Sequence, residues 1–402
     1  MAARFRQASH TARPAARRSQ RGLFVHRAGI VTPGPGGLRV PGSNASERSS
    51  HSHGSGALTI TIHDVAREAG VSIKTVSRVL NREPNVRPAM RTRVEEVIAR
   101  LNYRPNISAR SLAGARSYLI GLIYDDPSPS YLSELQIGAT GFCQKAGYHL
   151  MTEHVSVQAP GLRAQVESLI SAVRLDGVIL SPPVSDSDEA MAALEAAHIR
   201  YVRIAPSNFP ERASSVLIDD RTAAEEMTRA LWQMGHRDIA FVKGPRTHPS
   251  SRLRLDGFLA ALKELGGKMR KDWILPGTFN AQSGFAAGEV LFRQAERPTA
   301  VFASNDDMAV GLMNAAHRWH IEIPAELSVV GFDDSPIAAT LWPALTTVRQ
   351  PTRAMAEAAV QMLIEELRDP EQAKAPRRRL LDFQIVRRES TALVGTAPSK
   401  DR

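Results

Sequence analysis

Lys74 and Arg78 stand four residues apart within residues 61–81, TIHDVAREAGVSIKTVSRVLN. Four residues is one helical turn, so both cations share a face, and Ile73 and Ser77 lie beside them. This is recognition chemistry rather than bond-breaking chemistry. A guanidinium presents a planar fork that matches the O6/N7 edge of guanine, an ammonium donates to the same edge, and an apolar side chain such as Ile73 can meet a thymine methyl. Val76, Val79 and Leu80 occupy the opposite face and must point inward.

Two short helices around a tight turn would hold that face in place. Thr61 followed by Asp64 has the form of a capping box. Val65, Ala66 and Ala69 then make a small apolar stripe. Gly70 follows, the residue able to take a positive φ in the turn. Ser72 can cap the second helix, with Thr75 three residues on. Such a helix-turn-helix inserts its second helix into the DNA major groove. Taken alone, the same pattern also suits an ordinary αα-hairpin with a solvated polar face. A third helix is expected to end near Leu101, its stripe of Val94, Val97, Ile98 and Leu101 packing on the first two.

The basic charge is unevenly placed in this 402-residue chain of net charge +10. Residues 1–57 carry nine Lys+Arg against one acid and residues 58–117 eleven against five, whereas the remainder is slightly acidic at −4. Nucleic-acid affinity therefore belongs to the N-terminal part, and the body should be repelled by DNA. Residues 1–57, rich in Arg, Pro, Gly and Ser, are expected to be a disordered basic tail. They would be a nonspecific DNA-binding arm or, in preference, a dispensable or even untranslated extension. His51 and His53 are read as filler there, and the PGPGG near Gly34 lacks the strand and helix of a phosphate loop. The single cysteine, Cys143, makes no internal disulfide and reads as a core residue, which fits a reducing cytoplasm. No apolar run approaches the roughly 20 residues of a membrane helix.

From Tyr118 onward, strand-like runs at 118–124, 176–182, 199–205, 238–244, 298–304 and 327–333 alternate with amphipathic stretches at 132–146, 162–173 and 308–317. That alternation predicts parallel sheets with right-handed crossovers. About ten strands would split into two sheets rather than one. Ligands of such folds sit outside the carboxyl ends of the strands.

The spaced pattern D-V-A-x-x-A-G-V-S-x-x-T-V-S-R-V-L-N resembles the head of the LacI/GalR (lactose-repressor) family. The likeness continues through Val86, Arg91, Arg93, Val94, Leu101, Asn102, Tyr103, Pro105, Asn106 and the segment Ala109, Arg110, Ser111, Leu112. The resemblance implies an all-α helix-turn-helix head joined by a hinge helix to an α/β body. That body would be two Rossmann-like lobes of the type I periplasmic-binding-protein fold linked by three crossovers. It implies a head at 58–104, a hinge at 105–117 and a body at 118–390, with a tail at 391–402. Lobe 1 is drawn at 118–218 and 351–379, lobe 2 at 219–350 and 380–390. The residues expected to meet DNA are Thr61, Ser72, Ile73, Lys74, Thr75, Ser77, Arg78, Asn81, Arg87, Asn106 and Leu112. Leu112 occupies the position of a minor-groove wedge, although a linker leucine packed on the body would look the same in sequence. Arg87 and Met90 depart from the family's small hydroxyl residues. Arg87 can replace a phosphate contact with a charged one, and Met90 cannot.

The same resemblance implies an effector site lined by Tyr131, Arg254 of SSRLRLDGF, Phe279 of FNAQSGF, Asn305 of SNDDMAVG and Asp333 of VVGFDD. A guanidinium, a carboxylate, a carboxamide and an aromatic platform suit a neutral polyol ring, which favours a sugar over a nucleobase. An Arg254–Asp333 pair that merely bridges the lobes is the structural alternative. Asp306 and Asp307 are expected to cap the helix that follows them.

The reading is a cytoplasmic, DNA-binding transcriptional regulator, most simply a repressor. It would bind a pseudo-palindromic operator as a homodimer under control of a small molecule, with no cofactor, catalytic residue or membrane partner. A transport sugar-binding protein would share the body but has no use for the head. A Rossmann-type enzyme needs a nucleotide loop or catalytic constellation, and no G-x-S-x-G elbow, phosphate loop or Cys/His array occurs. His317 and His320 are read as surface or packing residues.

Overall fold

The computed structural model describes residues 60–80, 85–103, 116–125, 128–371 and 375–395. The N-terminal head consists of α1 (Ile62–Ala69), α2 (Ile73–Leu80) and α3 (Pro88–Arg100). Asp64 accepts hydrogen bonds from the Thr61 N–H at 3.0 Å and from its hydroxyl at 2.8 Å, which fixes the start of α1. Gly70 closes that helix in the left-handed conformation, φ 63°, so its N–H and that of Val71 can return to Arg67 and Ala66. Val65, Ala69, Val76, Val79, Val94 and Val97 are all buried and form one core with Tyr103. With Val76 and Val79 in that core, Ile73 and Lys74 at the start of α2 stay exposed.

The body begins with β1 (Leu119–Tyr124), α4 (Pro129–Ala146), β2 (His149–His154), α5 (Leu162–Ala172) and β3 (Gly177–Leu180). It continues through α6 (Asp188–Ala196), β4 (Arg200–Ile204) and β5 (Ser215–Leu217). Next come α7 (Asp220–Gln233), β6 (Ile239–Lys243), α8 (Pro249–Glu264), β7 (Ile274–Pro276) and α9 (Ala281–Phe292). The chain closes with β8 (Ala300–Ala303), α10 (Asp306–Arg318), β9 (Ser328–Asp333), β10 (Thr346–Arg349), α11 (Thr352–Arg368), β11 (Arg378–Leu380) and β12 (Gln384–Val386).

The strands form two six-stranded sheets, in the orders β11-β5-β4-β3-β1-β2 and β12-β10-β9-β8-β6-β7. All pairings are parallel except β12 against β10. Burial explains the choice, because β3 and β8 are buried at every residue and need helices on both faces. The chain passes between the lobes three times: after β5, after β10, and between Leu380 and Gln384. Twelve strands are present among the described residues where about ten were expected. The six expected runs all appear, and the additional strands are mostly three-residue segments or, like β2, polar and exposed. Cys143 is fully buried, as a core residue should be. The basic tail (1–57), Asn81, Asn106, Leu112 and nearly all of the hinge lie outside the described residues.

Candidate functional site

On the head, α2 is held by Ser72, whose hydroxyl accepts from the Thr75 N–H at 3.2 Å while the two hydroxyls bond each other at 3.0 Å. The N-terminal turn of α2 therefore points a capped, rigid end outward. Ile73 is 40% exposed although apolar, and Lys74 is exposed beside it; Thr75, Ser77 and Arg78 are half-buried. An exposed isoleucine between polar neighbours is disfavoured by solvent and suited to a methyl-bearing surface. Arg87 is exposed at the start of α3, one residue before Pro88. Thr61 is exposed at the start of α1.

Between the lobes lies a cleft whose walls include Tyr131, Arg254, Phe279, Asn305 and Asp333. Four of these residues leave the carboxyl end of a strand: Tyr131 follows β1, Phe279 follows β7, Asn305 follows β8 and Asp333 ends β9. Parallel strands in both lobes thus deliver their loops to one crevice. Arg254 is carried on α8, which follows β6, and is buried beneath it. Its Nε donates to Asp220 at 2.8 Å, its Nη1 donates to the Ser304 carbonyl at 2.6 Å, and its Cζ lies 3.5 Å over the Phe332 ring. Asp333 stands 3.7 Å from the same guanidinium and accepts from Gln350 Nε2 at 2.6 Å. Phe279 adopts φ 59° and packs edge-on to His248 at 5.2 Å between centroids. Gly244 lies behind it, where any Cβ would overlap the phenyl ring.

Burial dominates the electrostatics. It raises the Asp333 carboxyl well above its ordinary value, with Arg254 opposing and Asp306 reinforcing the rise. Asp220 is raised by burial and pulled back by Arg254. Asp306 is pushed up to about 7, chiefly by burial, against the hydrogen bonds from Thr347 and Ser335. Burial, then the charges on Asp333 and Asp220, raises the Tyr131 phenol.

Several sequence expectations need correction in detail. Arg254 and Asp333 belong to the same lobe, so they do not bridge the two, and the closer partner of Arg254 is Asp220. Asn305, not Asp306 or Asp307, caps α10: its carboxamide oxygen accepts from the Met308 N–H at 3.0 Å. Its Nδ2 donates to the Phe279 carbonyl at 3.1 Å, so Asn305 shapes the wall as well as lining it. Asp306 instead receives the Ser335 N–H at 2.7 Å and the Thr347 hydroxyl at 2.6 Å, and so anchors the turn after Asp333. Asp307 accepts the Ser128 hydroxyl, a direct bond between the lobes at the cleft. Asp220, Gln350, His248, Ser250, Ser128, Pro182 and Ala205 were not read from the sequence. Only Ser128-Pro129 and Asp219-Asp220 carry a local signal, and that signal is of a helix start.

Among the described residues no group of three His, Cys, Asp or Glu side chains is placed to hold a metal, and no helix is long and apolar enough to cross a membrane. His317 and His320 lie along a surface groove with Glu322 and Trp342.

Comparison with known proteins bears on both sites. Residues 61–106 match the model for bacterial regulatory proteins of the lacI family, and residues 228–391 match that of a periplasmic binding protein-like domain. The chain is 33% identical over 307 residues to catabolite control protein A of Priestia megaterium, covering 76% of this chain and 92% of that protein. Among solved structures, a lac repressor dimer bound to operator and an anti-inducer aligns with a TM-score of 0.68 at 29% identity, over 83% of this chain and 99% of that one. A transcriptional regulator in complex with cellobiose aligns with a TM-score of 0.63 at 28% identity, over 82% of this chain and 99% of that one.

Proposed function

The chain belongs to the lacI family of bacterial regulatory proteins and is a DNA-binding transcriptional regulator, and we propose that an uncharged sugar bound between its lobes controls its hold on DNA. The observation that carries the effector assignment is the floor of the cleft. One guanidinium there, already bonded to Asp220, faces Asp333, with Phe279 covering one side. A carboxylate and a guanidinium side by side match the acceptor and donor needs of neighbouring hydroxyls. Two carboxylates against one guanidinium leave no surplus positive charge for a phosphate or a carboxylate ligand.

The head reads DNA through Lys74 and Arg78, with Ile73 on a thymine methyl and Thr61, Ser72, Thr75, Ser77 and Arg87 supplying further contacts. Asn81, Asn106 and Leu112 are assigned to the same interface. Two such heads from a homodimer would engage a pseudo-palindromic operator, since two-fold protein symmetry is matched by two-fold symmetry of the site. We take 58–104 as head, 105–117 as hinge and 118–390 as effector domain, working in the cytoplasm by binding and release rather than by catalysis.

Control follows from the crossovers. Only three connections and contacts such as Ser128–Asp307 join the lobes, so a ligand gripping both can rotate one on the other. It biases the two arrangements only by its differential affinity for them. The change reaches the head through the segment that precedes β1. Selection from a random duplex pool with the full chain tests the DNA half. Enrichment of a two-fold symmetric site is the expected result, and enrichment of nothing at fixed salt would contradict it.

A further inference from the structure

Among the described residues Arg203 is the largest side chain fully shut off from solvent, and it lies on β4 between the buried apolar residues Val202 and Ile204. Its guanidinium serves two loops. Nε donates to the Ser185 carbonyl at 2.6 Å, and Nη1 to the Phe209 carbonyl at 2.6 Å. Nη2 donates to the Asn208 carbonyl at 2.6 Å and to Asp186 at 3.1 Å. Asp186 in turn accepts from the N–H of Ser207 at 3.0 Å and of Asn208 at 2.8 Å.

These bonds join the short turn after β3, Val184–Asp186, to the connection between β4 and β5. Pro206 and Pro210 bring no N–H to that connection. Its N–H groups at Ser207 and Asn208 go to the carboxylate, and its carbonyls at Asn208 and Phe209 go to the guanidinium. One buried ion pair thus satisfies backbone groups that no sheet ladder reaches. Ala205 at φ 45° and Phe209 at φ 49° are left-handed, a conformation that persists in such residues only where the surroundings fix it. Pro182, which leads into the turn, and Ala205, which opens the connection, both line the cleft.

Stability alone does not call for this arginine. Apolar side chains of similar volume in place of a buried ion pair are often neutral or stabilising. We propose that Arg203 is a positioning residue for effector binding: with Asp186 it fixes the β4–β5 connection in its binding-competent shape before any ligand arrives. The cleft then closes by rotation of whole lobes onto a finished wall, and no affinity is lost to ordering that loop. The inference rests on the cleft being the sugar site.

Hydrogen exchange of the full chain, read by mass spectrometry with and without sugar, tests this together with calorimetric titration. The sugars are D-glucose, D-galactose, D-ribose and cellobiose, and the one that binds the unaltered chain most tightly is used. In the unaltered chain the peptide bearing Ser207 and Asn208 should be equally protected with and without sugar. In Arg203→Met it should exchange tenfold or more faster when free and regain protection at saturating sugar, while β1 and β6 exchange as before. Sugar affinity should fall tenfold or more. Arg203→Lys keeps a cation beside Asp186 but loses the planar fork, so a loss of threefold or more is expected; it decides the matter if Arg203→Met does not fold. A merely structural Arg203 would lower the melting temperature and leave the affinity of the folded variants unchanged. An affinity loss below threefold in every folded variant, or a free loop that exchanges no faster, overturns the inference and leaves the sugar-effector reading standing. So does a loop that saturating sugar fails to protect. Absence of binding by all four sugars to the unaltered chain would sink the sugar-effector reading itself, and this inference with it.

Discussion

Replacing Arg254 by methionine removes one charge and little volume, and the structure sets the size of the effect. The guanidinium is 4% exposed, as is Asp220, so solvent screening is slight. Its removal strands the Asp220 carboxylate and the Ser304 carbonyl, which it now serves at 2.8 and 2.6 Å. Breaking a buried pair in this way costs about 3–5 kcal/mol. Protonation limits the loss. Asp220 can take up a proton, and from an unfolded value of 3.8 that costs about 4 kcal/mol at pH 7 and about 2 kcal/mol at pH 5. The variant's Asp220 is raised in the fold relative to the unfolded chain, so its stability must fall as pH rises above about 4. We therefore expect Arg254→Met to lose about 3–4 kcal/mol at pH 7 and about half that at pH 5. Arg254→Met combined with Asp220→Asn should lose less at pH 7 than Arg254→Met alone. Urea unfolding followed by tryptophan emission suits the test, because Trp232, Trp273, Trp319 and Trp342 all lie in the second lobe with this pair. A cost below about 1 kcal/mol, or one that does not change between pH 5 and 7, would refute the dry, interlocked pair described here.

Three further outcomes follow from the same geometry. Arg78→Ala should erase preference at one base pair, worth about 1–3 kcal/mol, while weak nonspecific binding survives; uniform weakening on every sequence would make Arg78 a phosphate contact. Ser128→Ala removes a direct bond between the lobes and should weaken effector binding by about 0.5–1.5 kcal/mol in a calorimetric titration, with unchanged affinity showing that Asp307 does not hold the lobes together. Asp306 is raised to about 7 by burial, so native protein should lose stability relative to Asp306→Asn as pH climbs from about 4 through 7. A flat difference in thermal melts over that range would remove burial as the cause.

Local chemistry made the head legible. The Thr61–Asp64 start, Gly70 at positive φ and the Ser72 cap are short-range devices, and each appears where the sequence places it. Buried central strands such as β1, β3, β6, β8 and β9 were equally readable, because largely apolar runs announce them. The three-residue edge strands were not. β11 is fully exposed and reads Arg-Arg-Leu, and it becomes a strand only because β5 offers it an edge. In the cleft, individual lining residues were legible and their pairings were not. Asp220 lies 34 residues from Arg254 in sequence, and only the packing of α7 against α8 brings them to 2.8 Å. Pro182 and Ala205 carry no motif at all. Their place in the cleft wall comes from the carboxyl ends of β3 and β4 meeting the second lobe, which no local pattern encodes.

We propose that a ligand in the cleft alters the grip of the head on DNA. An anisotropy titration of the full chain on its selected duplex, at one salt concentration, with and without the sugar that binds most tightly, tests it directly. The expected result is a shift in DNA affinity with sugar that disappears in Asp333→Asn while that variant still binds the duplex. Sugar binding that leaves DNA affinity unchanged would contradict it.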